Sequence, residues 1–222
     1  MKRRTLDFLF SAGGLAMAAL LLVLGLVMTS NANFAKRYVK DQLSEQNISF
    51  KTAATLTNEE KASPCLIKYA GQQLTTGKQA ECYANDFIGL HVKAVADGKT
   101  YADLGAPQSD LRAKVAAATK AGDPALKDLQ DQLTAVTAQR ETLFKGETLR
   151  GLLLTSFGFS VFGVKGEQVA TVAYIVAGLL ALLSMAGFLH ALKTPKSKVF
   201  AAPQRSNGKV EGTADEKPLV RV

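Results

Sequence analysis

Histidine and cysteine are both scarce in this sequence, with two of each among 222 residues. His91 lies in the polar middle and His190 at the end of an apolar run, and a membrane between them denies them a common metal ion. A zinc site would need more thiolates than Cys65 and Cys82 supply, and the only imidazole near them is His91. Nucleophilic hydrolysis of the Ser-His-Asp kind needs a base and a residue that orients it, and His91 is the single base available in the middle segment. Asp86 and His91 are five apart, off the common face of a helix, which reads as a solvated surface pair. No glycine-rich phosphate loop follows a strand, and no two carboxylates stand out from ordinary helix solubilisation. No residue is therefore assigned to catalysis, to a cofactor or to a metal, and the pattern points away from an enzyme.

Charge is missing from two long stretches. Phe8–Met28 holds none, and as a helix it covers roughly 30 Å, the thickness of a bilayer's hydrocarbon core. Val169–Leu192 has the same character, with only His190 near its end. Both read as transmembrane helices, within 8–30 and 169–192. The rival for the first is a cleaved signal peptide, with MKRR as its basic start and Ser30-Asn31-Ala32 as its cleavage site, but the run exceeds the usual apolar core of about 7–15 residues. His190 sits at the boundary, where it reaches water.

The net charge of +8 suggests a nucleic-acid partner until its distribution is read. Residues 31–168 hold 17 Lys+Arg against 15 Asp+Glu, and the rest of the excess lies in the tails, so no basic face for nucleic acid is supplied. Lys2, Arg3 and Arg4 directly precede the first span, while Lys193, Lys196 and Lys198 directly follow the second. The positive-inside bias puts both termini in the cytoplasm and the middle outside, making a multi-pass protein of the cell membrane. Lys36, Arg37 and Lys40, just past the first span, oppose this weakly. Both cysteines then lie in an oxidising compartment, where a Cys65–Cys82 disulfide is the simplest reading, worth about 3 kcal/mol on the chain-entropy model. Two buried free thiols are the alternative.

Taken along the chain, 1–7 is a cytoplasmic start and 31–150 an extracytoplasmic helical domain. A helix leaves the membrane over Phe34–Gln46, and Ile48, Phe50 and Thr52 alternate as a short strand or linker. Leu66–Leu74 is a short helix, and Gln79–Ala96 a longer one with Tyr83, Phe87, Leu90 and Ala94 on one face and Gly98 as its cap. Thr100 and Asp103 have the spacing of a capping box. A helix from Ser109 runs to Ala121, where Gly122-Asp123-Pro124 closes it and opens the next. The second arm carries Leu126, Leu129, Leu133, Val136 and Leu143, with Arg140 at the position the seam omits. These arms form an antiparallel helical hairpin whose seam packs within the domain or against a partner.

Gly151–Val164 is apolar but too short, at about 21 Å, to span a bilayer core. It reads as an interfacial or re-entrant segment within 151–168, with Phe157, Phe159 and Phe162 at the outer surface and Gly158 and Gly163 permitting bends. Small residues four apart mark two ridges for helix packing: Ala12 with Ala16 and Gly14 with Ala18 in the first span, and Ala173, Ala177, Ala181 and Ser184 in the second. They suit packing of one span on the other, on a second copy, or on another membrane protein. The tail, 193–222, is rich in Pro, Lys, Ser and Gly and reads as disordered and cytoplasmic, its basic start near anionic headgroups.

The expected fold class is thus an all-α membrane protein: two transmembrane helices flanking a mainly helical extracytoplasmic domain that contains the hairpin. Three segments, MKRRTLDFLFSAGG, YVKDQLSEQNISF and QAECYANDFIGLHVKAVADGKTYADL, resemble an uncharacterised family of two-span membrane proteins of actinobacteria. Some members of that family carry an aromatic-ring-opening dioxygenase label, which in the extradiol form implies iron held by two His and one carboxylate. His91 and His190, being separated, do not supply that set. The expected role is a non-enzymatic accessory or scaffold subunit of the cell envelope. The alternative is a sensor or polysaccharide-assembly regulator that signals through a partner, since the tail is too short for an output module.

Overall fold

A computed structural model describes residues 2–195, which are helical and contain no strand. The stretch 196–222, with Lys196, Lys198 and nearly all of the expected disordered tail, lies outside the described residues. Two helices dominate: α1, Arg3–Glu45, and α7, Leu126–Lys193, of 43 and 68 residues. Each contains a segment long and apolar enough to cross a membrane. Between them lie α2 (Asn58–Lys61), α3 (Pro64–Tyr69), α4 (Gly77–Cys82), a wide π-type turn at Tyr83–Ile88, α5 (Gly89–Val95) and α6 (Gly105–Ala121). The chain divides into two compact units.

The first unit joins the start of α1 to the end of α7, side by side and antiparallel. Ser11 packs on Gly187 and Gly14 on Ser184, with Ala18 and Ala177 also buried. Phe8 and Phe188 meet at 5.8 Å between ring centroids, and His190 Nε2 lies 4.0 Å from Asp7 Oδ2. The outward faces present large apolar side chains such as Leu20, Leu182 and Leu183, a surface suited to hydrocarbon rather than water.

The seam uses part of the expected ridges: Ala18, Ala177 and Ser184 are buried in it. Ala12 and Ala16 face outward, away from α7, and Ala181 is only half-buried. On α1 Ser11 and Ala18 are buried with the half-buried Gly14 between, and on α7 the buried positions are Ala177, Ser184 and Ala191 with Gly187 between. Steps of three and four alternate, as they must when two helices stay in contact over several turns; a strict step of four drifts off the contact line.

The second unit, Leu22–Ile175, starts with the same pair of helices. Tyr174 lies against Gly25 and its hydroxyl meets Thr29 Oγ1 at 3.0 Å. Ala32 and Ala35 pack on Gly163 and Gly166, and Ala170 and Ala173 are buried. Lys36 and Glu167 form an ion pair across the helices.

Beyond that pair, α1 continues to Glu45 because Val39 and Leu43 keep the same face buried. It ends where Asn47 adopts a left-handed backbone, φ 52°, a conformation asparagine tolerates. The next residues do not form a strand: a single antiparallel bridge joins Ser49 to Gln73, flanked by Phe50 N–H to Gln72 O and Leu74 N–H to Ile48 O. The core gathers Val39, Leu43, Phe50, Leu66, Leu74, Ile88, Val92, Leu143 and Leu153. Leu66, Leu74 and Leu143 are sealed from solvent, where truncation to Ala costs about 2–5 kcal/mol.

Gly151–Val164 does not turn back on itself. It is the uninterrupted middle of α7, with Leu153 in the core. Glycine inside a helix costs only about 1 kcal/mol, and here Gly163 gives Ala32 and Ala35 their close approach. Phe157 lies beneath Lys78, whose Nζ stands 4.8 Å from the ring centroid; Phe159 meets Tyr38 edge-on at 5.7 Å; Phe162 points outward.

The hairpin forms with one shift of boundary. Helix α6 starts at Gly105 rather than Ser109, with Pro107 in its first turn, where no intrahelical N–H bond is lost. Thr100 and Asp103 exchange both bonds of a capping box, but they close a turn rather than start a helix. Gly122 ends α6 at φ 65°, and the Asp123 N–H reaches back to Ala118 O, a left-handed stop that a β-carbon would strain. Along α7, Leu126, Leu129, Leu133 and Val136 are half-buried and Leu143 fully so.

Candidate functional site

Glu60, which the sequence reading passed over, is a buried carboxylate at the centre of a polar network. Thr57-Asn58-Glu59-Glu60 is a capping box: the Glu60 N–H donates to Thr57 Oγ1 and the Thr57 N–H donates to Glu60 Oε2 at 2.8 Å. The box fixes the carboxylate at 0% exposure, and a charge so placed needs partners. Lys51 Nζ donates to Oε1 at 2.7 Å and His91 Nε2 lies 3.4 Å from the same oxygen. Burial alone would push the Glu60 carboxyl up. The Lys51 hydrogen bond, the Thr57 amide and the nearby charges of Lys51 and His91 outweigh it and hold the group below the usual carboxylate range.

Aromatic rings wall this network. Lys51 stands 5.2 Å over Phe87, and Phe87 packs on His91 at 4.5 Å and on Tyr83 at 4.7 Å. His91 Nδ1 bonds to the Phe87 carbonyl at 2.7 Å. Burial raises the Tyr83 hydroxyl above its ordinary value, so it stays protonated. The carboxylate is thus fully engaged by partners from its own fold, which suits holding the loop before α3 on the wide turn better than it suits proton transfer.

Cys65 and Cys82 are bonded, with Cα atoms 6.0 Å apart, tying α3 to the end of α4. Asp86 Oδ2 lies 2.8 Å from Cys65 Sγ; a disulfide sulfur carries no proton, so this is a contact and not a hydrogen bond. Among the described residues, Cys65, Cys82 and Asp86 are the one grouping with metal-ligand geometry. With both sulfurs in the bond, one carboxylate remains as a hard ligand, too few to hold a metal. His91 faces Glu60, and His190 faces Asp7, so neither histidine joins a ligand set there.

Among the concavities of the described residues, a shallow one of about 560 Å³ lies beside Cys65 and Asp86, and two others have linings that suit a ligand or a partner segment. The larger, about 720 Å³, is an apolar groove between α1 and α7, walled by Phe34, Tyr38, Leu149, Leu152 and Phe159, with Gln42, Gln46 and Ser156 as its polar edges. The smaller, about 430 Å³, is a notch on the hairpin around Arg140. Arg140 thus explains the gap in the seam: its guanidinium lies 4.0 Å over the Tyr101 ring and Nη1 donates to Gln108 Oε1. Groove and notch were not legible as such, since each is assembled from segments far apart in the chain.

No family model matches this chain, and no curated protein or solved structure matches it either.

Proposed function

We propose that this chain is a membrane-anchored accessory or scaffold subunit, without catalysis of its own, of the two-span kind that its sequence resembles. In this reading the apolar segments of α1 and α7 cross the bilayer and both termini are cytoplasmic. The helical cluster around Leu66 and Leu143 then sits on the far, oxidising side, which agrees with the Cys65–Cys82 bond.

The observation that carries the scaffold reading is the apolar groove. Phe34, Tyr38, Leu149, Leu152 and Phe159 are exposed and lie outside the runs 8–30 and 169–192 that this reading takes as the spans. Aromatic and aliphatic side chains lining a cleft with a neutral polar edge suit the apolar face of a partner's amphipathic helix.

A photo-crosslinking amino acid at Leu152, introduced in the intact chain in living cells, tests this. The expected result is a covalent adduct with one membrane protein or with a second copy, and co-purification of that species in mild detergent. A strictly monomeric chain without an adduct would overturn it. Sidedness is tested separately by Ser109→Cys and Ser206→Cys: a membrane-impermeant maleimide should label the first in intact cells and the second only after permeabilisation.

A further inference from the structure

The notch on the hairpin has a chemistry that the scaffold role does not use. Arg140 occupies a seam position where an apolar residue would pack, and one of its N–H groups is consumed by Gln108. Gln108, itself 4% exposed, is locked by donating from Nε2 to Thr137 Oγ1 at 2.8 Å. Arg140 Nε is shut off from solvent and finds no acceptor among the described residues. That N–H cannot be reached from the notch, so an entering acceptor meets the terminal Nη groups of the guanidinium instead.

The walls fit an acceptor of negative charge. Arg112 of α6 and Lys145 of α7 line the notch with Arg140, against Glu141 as the one carboxylate of the lining. Lys145 pairs with Glu141 at 3.8 Å, which offsets those two charges and leaves Arg112 and Arg140 as the net positive charge of the notch. A net excess of two positive charges in a concavity draws anions, and a guanidinium held flat by Tyr101 is the group that carboxylates and phosphates match. Tyr101 and Phe144, 5.9 Å apart, add an apolar wall beside the charge. Roughly 40 Å of continuous helix separates Arg140 from Glu167 along α7, which takes the notch out of reach of a lipid headgroup at the Lys36–Glu167 end of the unit.

We propose that the notch between α6 and α7 is a binding site for a soluble small molecule that carries a carboxylate or phosphate on an apolar body, gripped by Arg140 and Arg112. The volume of about 430 Å³ admits a ligand of the size of a single ring with its anionic group. Arg140 holds the oxyanion by its fork and Arg112 closes over it from α6. Tyr101 and Phe144 cover the ring.

Calorimetric titration of the full chain in neutral detergent micelles tests the site, with phenyl phosphate and benzoate as probes and benzamide as the uncharged control. One saturable site for phenyl phosphate or benzoate is expected, and none for benzamide. Arg112→Ala, at an exposed position that does not support the fold, should weaken binding on the order of tenfold or more, and Arg140→Gln should abolish it. No saturable binding of either anion, or binding indifferent to Arg112→Ala, would overturn the site. Displacement of the probe by phosphatidylglycerol in the micelles would overturn its assignment to a soluble ligand. Should Arg140→Gln unfold the hairpin, as a purely structural arginine would, Arg112→Ala alone decides.

Discussion

The hydroxyl of Ser184 on α7 stands over Gly14 of α1, at a distance where even a methyl group on Gly14 would collide with it. Two residues further on, Ala16 faces outward from the pair. A bulky side chain should therefore be rejected at one position and accepted at the other, although both are small residues in the same apolar run. Gly14→Leu is expected to destabilise the helix pair by about 1–3 kcal/mol through overpacking, and Ala16→Leu to leave it nearly unchanged. Thermal melting followed by circular dichroism in mild detergent distinguishes the two, and equal effects would contradict the seam.

Glu60 predicts an acid-sensitive contribution to stability. Its carboxyl titrates below the ordinary value of 4.5 in the folded chain, so the stabilisation is fully present above the unfolded value and is lost as pH falls through the folded one. The melting midpoint should drop as pH is lowered below about 4.5. Glu60→Gln, which forfeits the Lys51 pair, should be less stable at neutral pH by about 2 kcal/mol and should show a flatter acid limb. A variant whose acid limb stays as steep as the parent's would place the effect elsewhere.

Reduction of the Cys65–Cys82 bond, which closes a separation of 17 residues, should lower the stability of the helical cluster by about 3 kcal/mol. The Cys65→Ser, Cys82→Ser double variant should reproduce that loss and become insensitive to reductant. Melting with and without dithiothreitol gives both numbers.

Gly122→Ala should cost about 1 kcal/mol, because its left-handed φ penalises a β-carbon while the space around it is open. The same change at Gly151, a helical glycine with nothing within 4 Å, should be neutral or stabilising. Denaturant midpoints of the two variants, compared at equal slope, settle the contrast.

What the sequence made legible follows from which signals are local. The two apolar runs, the Gly122-Asp123-Pro124 break and the Cys65–Cys82 pairing each rest on a few adjacent residues or on composition, and each has its counterpart in the structure. The packing seam was only half legible. Steps of four pick out Ala12 and Ala16 as readily as Gly14 and Ala18, whereas the three-four alternation that selects Ser11, Gly14 and Ala18 is imposed by a second helix more than a hundred residues away. Glu60 was missed in a polar stretch that reads as solvent-facing, although Thr57 three residues before it is the signal that could have found it. Gly151–Val164 was set apart because it is short and apolar; its helix persists because neighbours on both sides and the contacts of Gly163 and Leu153 carry it through.

The wide turn at Tyr83–Ile88 sets the phase of everything after it in that segment. An α-helix advances about 100° per residue, and a π-type turn absorbs one residue more than its regular counterpart. Deleting Asn85 would let the segment regularise with that phase kept, whereas deleting Leu90 from the regular helix after it would swing Val92 and Ala96, both buried, by that angle toward solvent and carry His91 away from Glu60. The wide turn is therefore the place where this segment can lose a residue, and the regular helix that follows it has no such slack.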